Sequence, residues 1–155
     1  MEYNSQNMKV FLDTNLFMEF FEQRDKCEVV KVILHAVEDH AFSGVISSGG
    51  LYTLTYLLTL GLKRNNIHRP EQTERLRDLL RRIVSLCTVV DTSHTSLVTA
   101  INDKSFSDIE DSYQYQCALQ NGCTQFITIN MKDYRDADQM SIEILTPEIF
   151  VDKYL

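Results

Sequence analysis

Met8-Lys-Val-Phe-Leu-Asp-Thr-Asn15 is the stretch on which the reading of this chain turns. Val10, Phe11 and Leu12 are apolar at consecutive positions, so an extended segment here is apolar on both faces. Such a run suits a strand covered on both sides, as in a parallel sheet sandwiched by helices. It stops abruptly at Asp13-Thr14-Asn15. In open α/β sheets, functional residues gather beyond the C-terminal ends of strands. Asp13 is therefore the first candidate, and its position is costly, because a carboxylate next to a buried strand loses water. Either a helix N-terminus or a divalent cation can compensate it.

Outward from this run the pattern alternates. Helical spacing is expected over 16–22 and 28–39, then a strand over 41–47 and a strongly apolar helix over 51–62 ending at Gly61. Residues 63–70 read as a polar connection. Pro70-Glu71 opens a helix through Leu86, with Leu76, Leu79, Leu80 and Ile83 on one stripe. A strand over 87–90 and a helix over 93–102 follow. Ser107-Asp108 starts another helix, closed near Gly122. Strands over 126–129 and 142–145 and a helix over 147–154 complete the chain. The order predicts an α/β fold with a central, mainly parallel sheet of four or five strands and helices on both sides. Residues 1–7 are expected to be a polar tail and 8–155 one domain.

Composition narrows the function classes. There are 15 Lys and Arg against 22 Asp and Glu, a formal net charge of −7. That argues against a general coat for nucleic acid, yet the charge is uneven. Residues 63–82 hold seven basic and three acidic side chains. Within them Arg64, Arg69, Arg75, Arg81 and Arg82 are candidate phosphate contacts, and the competing reading is a solvated helix with Glu71–Arg75-type pairs. Cys27, Cys87, Cys117 and Cys123 form no C-x-x-C pair, and the four His are unpaired in spacing, so packing thiols are expected rather than a zinc site or disulfides. No apolar run reaches membrane-span length, and the N-terminus lacks signal-peptide character, so a cytoplasmic location without membrane attachment is expected.

The polar residues that the strand ends deliver are Asp13, Asn15, Ser47, Ser48, Thr128, Asn130 and Asp133. Asp108, Glu110 and Asp111 join them from a helix start, and Asp108 and Asp111 share a face at i, i+3. With only Lys9 and Lys104 near in sequence, these oxygen donors suit Mg²⁺ or Mn²⁺. The structural alternative is an Asp108 N-cap followed by first-turn acids favoured by the helix dipole.

Three segments in order then resemble the PIN domain family of metal-dependent ribonucleases, which includes VapC-type toxins. They are Met8-Lys-Val-Phe-Leu-Asp-Thr-Asn15, Phe106-Ser-Asp-Ile-Glu-Asp-Ser112 and Phe126-Ile-Thr-Ile-Asn-Met-Lys-Asp-Tyr134, followed by Leu145-Thr-Pro-Glu-Ile-Phe150. The resemblance implies a three-layer α/β/α sandwich. It also implies catalysis by Asp13, Asp111, Asp108 and Asn130, with the metal on the three acids. Asn15, Thr128, Asp133 and Glu110 would be supporting residues. Two departures stand out. Many members carry a Glu in the helix after the second strand, where Ser47–Tyr56 has no acid and Thr53 is the expected occupant. The usual fourth acid is Asn130.

The implied activity is hydrolysis of RNA phosphodiesters with Mg²⁺ or Mn²⁺, by the toxin of a toxin–antitoxin pair. Its partners would be RNA, a small antitoxin protein and a second copy of the chain. The alternative is a PIN-like RNA-binding module with weak or no nuclease activity. A phosphatase or phospho-receiver on a similar sheet fits less well, because Asp13 is not followed by Asp-x-Asp spacing.

Overall fold

The computed structural model describes residues 7–155. The expected tail therefore falls outside the described residues, except for Asn7. Five strands form one sheet in the order β3-β2-β1-β4-β5, and all four neighbouring pairs are parallel. They are β1 (Lys9–Leu12), β2 (Ser43–Ser47), β3 (Thr88–Val90), β4 (Gln125–Ile127) and β5 (Glu143–Leu145). The helices are α1 (Thr14–Phe21), α2 (Cys27–Glu38), α3 (Ser48–Arg64), α4 (Glu71–Leu86), α5 (His94–Asn102), α6 (Ile109–Gln120) and α7 (Pro147–Tyr154). A short 3₁₀ turn covers Met131–Tyr134.

β1 is the central strand because its sequence can be covered twice. Val10 and Leu12 pack on one side with residues of α1, α2, α3 and α4 and with Phe150 of α7. Phe11 points the other way, into a second cluster with Tyr115, Cys117 and Ala118 of α6 and Tyr134. Its ring stacks on Phe126 of β4 with centroids 4.9 Å apart. Helices thus cover both faces, giving the three-layer sandwich. The four cysteines are free and buried within these layers.

Local chemistry shifts several expected boundaries. α3 begins at Ser48, not 51, because Ser47 Oγ accepts the Gly50 N–H at 2.8 Å. It also runs through Gly61 to Arg64. Gly61 is not the stop, since its carbonyl accepts the backbone and side-chain N–H groups of Asn65, and Asn66 takes the left-handed turn at φ 58°. β4 ends at Ile127 and releases Thr128 from the strand. β2 starts at Ser43 rather than 41. Gly122 does close α6: at φ 72°, it lets the Gly122 and Cys123 N–H groups return to Leu119 and Ala118.

The chain moves from β1 to β2 and β3 on one side and returns to β4 and β5 on the other. The crevice beyond the ends of β1 and β4 is therefore the topological switch point. Asp13 stands there, its N–H donating to the Ile127 carbonyl at 3.1 Å.

Gly44 of β2 tests how tightly the layers are packed. A Cβ there would lie 3.1 Å from Val37 Cγ1, 3.2 Å from Cys87 Sγ and 3.3 Å from Leu12 Cδ1. Gly44→Val is expected to destabilise the fold by about 1–3 kcal/mol through overpacking. Gly49→Ala, where a Cβ meets nothing within 4 Å, should be neutral. Urea midpoints compare them, and an unchanged midpoint for Gly44→Val would show that this seam is loose.

Candidate active site at the end of the first strand

Asp13 is only 3% exposed, and five side chains are arranged around its carboxylate. Oδ1 accepts from Thr14 Oγ1 and Gln114 Nε2, both at 3.2 Å. Oδ2 accepts from Thr128 Oγ1 at 2.7 Å, Asn15 Nδ2 at 3.2 Å and, more distantly, Tyr134 Oη at 3.5 Å. These donors come from β1's own exit, from α6, from the residue after β4 and from the 3₁₀ turn. Thr128 is itself held in place: its hydroxyl accepts from Asn15 Nδ2 and from the Asn130 backbone N–H. Every one of these donors is neutral. Burial pushes the Asp13 carboxyl above its ordinary range, and the hydrogen bonds from Thr128, Gln114 and Thr14 oppose that push.

Asp111 is the second carboxylate. Tyr134 Oη donates to its Oδ1 at 3.1 Å, so one phenol links it to Asp13. Burial, and then the neighbouring charge of Asp13, raise Asp111 to about 7. The charges of Asp108 and Asp133 push in the same direction. Tyr134 is fully buried. Burial and the two carboxylates hold its phenol protonated and raise it well above its ordinary range. It therefore stays a donor throughout the physiological range.

The other expected residues are placed differently. Asp108 is exposed and caps α6, its Oδ1 accepting the Glu110 N–H at 2.9 Å. Glu110, two positions further on, is also exposed. Asn130 is exposed and joins the Asp13 network through its backbone N–H. Asp133 is half-buried, and its N–H donates to the Asn130 carbonyl. Thr53, in the expected place of an acid, is half-buried on α3. Among the described residues, no three His, Cys, Asp or Glu side chains gather as a ready metal cluster. Asp13 and Asp111 are the pair that the fold brings together.

The basic stretch does not face this pair as a block. On α4, Arg75 pairs with Glu71, Arg77 with Glu74 and Arg81 with Asp78, all within 2.8 Å. Arg64 lies 3.7 Å from Glu22. Arg82 lines a cavity with Val37, His35 and His40, where α2 leads into β2. That is the opposite end of the sheet from Asp13.

Gln114 and Tyr134 were not anticipated. Gln114 follows Asp111 by three residues on α6, so extending the Asp108–Asp111 face by one turn reaches it. Tyr134 had no signal beyond being an aromatic after Asp133, because its role depends on the 3₁₀ turn.

A divalent cation fits this donor set. The two carboxylates have no Lys or Arg partner among the described residues. Asn15 Oδ1 is buried beside them without a hydrogen-bond partner among the described residues. Oxygen donors of this kind suit a hard cation.

The sequence profile of the PIN domain family matches residues 9–132. Ribonuclease VapC1 of Aquifex aeolicus (strain VF5) is 26% identical over 155 residues, spanning 94% of this chain and 95% of that protein. Two solved structures share the fold at 17% identity, and each match covers 90% of this chain and 98% of the other. One is VapBC2 from Rickettsia felis bound to a DNA fragment from its promoter, with a TM-score of 0.63. The other is DNA-bound VapBC from Salmonella typhimurium, with a TM-score of 0.65. With the family profile spanning most of its length, including the strand that ends at Asp13 and the helix that carries Asp111, the chain belongs to the PIN domain family.

Proposed function

We propose that this protein is a divalent-cation-dependent endoribonuclease and the toxin of a toxin–antitoxin pair. The observation that carries the chemistry is the pair of buried Asp13 and half-buried Asp111 at the switch point, bridged by Tyr134 and lacking a basic partner among the described residues. Membership of the PIN family and similarity to a VapC ribonuclease support the reaction class. The VapBC structures that share the fold support a small antitoxin protein as a partner. A homodimer is part of the same proposal.

Asp13 and Asp111 would hold Mg²⁺ or Mn²⁺, with Asn15 Oδ1 beside them and Asp108 and Asp133 adding negative charge. When bound, the cation supplies a lowered pKa for attacking water and offsets charge developing on the phosphoryl oxygens. The protein's own part is positional. Thr128, Gln114, Thr14 and Asn15 fix the rotamer of Asp13 before substrate arrives. Tyr134 sets the spacing of the two carboxylates. Asn130 can orient a neighbour through hydrogen bonds but cannot act as a base. Arg82 lies away from the carboxylates, and RNA would be held close to them.

The purified protein with Mn²⁺ or Mg²⁺ should cleave RNA. Asp13→Asn should lower the rate by roughly 100-fold or more, the scale of losing one group that stabilises a charged transition state. Where Asp13→Asn no longer melts cooperatively, the half-buried Asp111→Asn carries the same test. Cleavage unaffected by either change would place the activity elsewhere. The second reading, an RNA-binding module, draws on the absence of a three-acid cluster among the described residues. RNA binding that is insensitive to EDTA, without cleavage, would establish it.

The raised carboxyls also set a pH dependence. Asp111 ionises near 3.8 when unfolded and near 7 when folded. Between those values the folded state holds more protons, so stability of the cation-free protein should fall as pH rises from about 4 to about 7. Asp13 acts in the same direction. Mn²⁺ should therefore raise the melting temperature more at pH 8 than at pH 5. Asp111→Asn should reduce both the slope and the Mn²⁺ effect. Thermal melts across pH check this, and equal Mn²⁺ effects at both pH values would show that the pair is not where the ion binds.

A further inference from the structure

Next to Asp13 lies a cavity of about 510 Å³, a volume typical of small-ligand pockets. Its walls are the start of α3, Asp91 and Thr92 after β3, and Glu110, Tyr113 and Gln114 of α6. Its lining groups differ in chemistry. The 17-residue helix α3 opens in its wall with Ser48-Gly49-Gly50. Ser47 Oγ satisfies the Gly50 N–H, and the Ser48 and Gly49 N–H groups have no acceptor within the helix. A Cβ at Gly49 would meet nothing within 4 Å, so this helix start is open to an incoming group. The Asp91 and Glu110 side chains in the same lining present acceptors only.

Gln114 stands between this cavity and the carboxylate pair. It is 4% exposed, and its Nε2 is committed to Asp13 Oδ1. That bond fixes which end of the amide is oxygen, and Gln114 Oε1 is left buried without a partner. A helix N-terminus alone would be satisfied by water. A buried acceptor in the same wall calls for a ligand that also donates an N–H or O–H. Tyr52, 73% exposed on the same wall, adds an unpacked ring.

We propose that this cavity binds one nucleotide unit of RNA. Its phosphate would sit at the N-terminus of α3, and its base or ribose donors would turn toward Gln114, Asp91 and Glu110. Tyr52 would stack on the base. Thr53, uncharged and in the same lining, adds no like charge from α3 itself. The proposal rests on the ribonuclease reading for the identity of the ligand, and it deepens that reading by locating a neighbour of the cleaved bond.

The test is amide NMR on the full chain in EDTA, titrated with ribonucleoside 5′-monophosphates, inorganic phosphate and free nucleosides. Mononucleotides at millimolar concentration should shift the Gly49 and Gly50 amides and the Gln114 side-chain amide together. Phosphate should shift the glycines alone and more weakly, and nucleosides should mainly shift Gln114. Gly49→Glu, placed where its Cβ has open space, should keep the fold and weaken mononucleotide binding at least about tenfold. Absent shifts, shifts centred elsewhere, or equal binding by Gly49→Glu would each overturn the pocket. Because no cation is present, the two readings separate. Shifts at Gly49 and Gln114 in a protein that never cleaves RNA uphold the pocket and remove the nuclease. Cleavage without those shifts keeps the nuclease and removes the pocket.

Discussion

A buried carboxylate at the exit of the central strand is the constraint that organises this protein. Asp13 follows three residues that are essentially without solvent exposure, and removing its charge from water costs several kcal/mol unless partners replace the hydration. The fold answers with neutral donors from four separate segments. Thr14 and Asn15 come from the start of α1, Gln114 from α6, Thr128 from the end of β4 and Tyr134 from the 3₁₀ turn. The parallel pairing of β1 with β4 is what makes the arrangement possible, because it sets Asp13 beside Thr128 at the switch point. Features that look unrelated in sequence therefore share one cause.

Neutral donors offset desolvation without cancelling the charge. A nearby Arg would have done both, and it would also have held the carboxylate in a fixed ion pair. With hydrogen bonds only, Asp13 stays oriented while its need for a counter-charge persists. Asp111 amplifies that need from the neighbouring helix, and the Tyr134 phenol keeps the two carboxylates together while they repel each other. A proton or a cation would relieve the pair, and near neutral pH the two would compete. An acidic protein thus gains a local demand for positive charge, which the overall charge of −7 conceals.

The strand run and its exit were legible in the sequence because both rest on local patterns. Consecutive apolar residues imply two covered faces, and a polar stop after them marks a strand end. Asp111 was legible from helical spacing, and Gly122 from its capping role. The misplaced limits of α3 show where such reading fails. Gly61 looked like a helix stop, yet the end is set by Asn65 and Asn66, whose hydrogen bonds and left-handed backbone emerge only when the turn is built. The role of Asp108 was open for a related reason. Asp108 had two competing uses of one carboxylate, and it caps α6. The basic run around α4 was open in the same way, because phosphate contacts and local ion pairs use the same side chains, and Arg75, Arg77 and Arg81 make i,i+3 and i,i+4 pairs.

Two carboxylates hold a divalent cation less firmly than three or four would, since each one contributes charge that an oxygen-only site depends on. A substrate phosphate can supply the missing negative charge and oxygen ligands. Cation and RNA would then bind cooperatively, each improving the site for the other. The same economy reaches the next wall of the site. Because Thr53 carries no charge, the positive end of α3 is not neutralised by a side chain of its own helix and remains available to an anion. A site with few acids and an exposed helix start beside it would favour substrate-assisted assembly over a permanently loaded metal centre. Selectivity would then come from contacts that RNA makes next to the cleaved bond, where the protein has placed its buried amide and its open glycine.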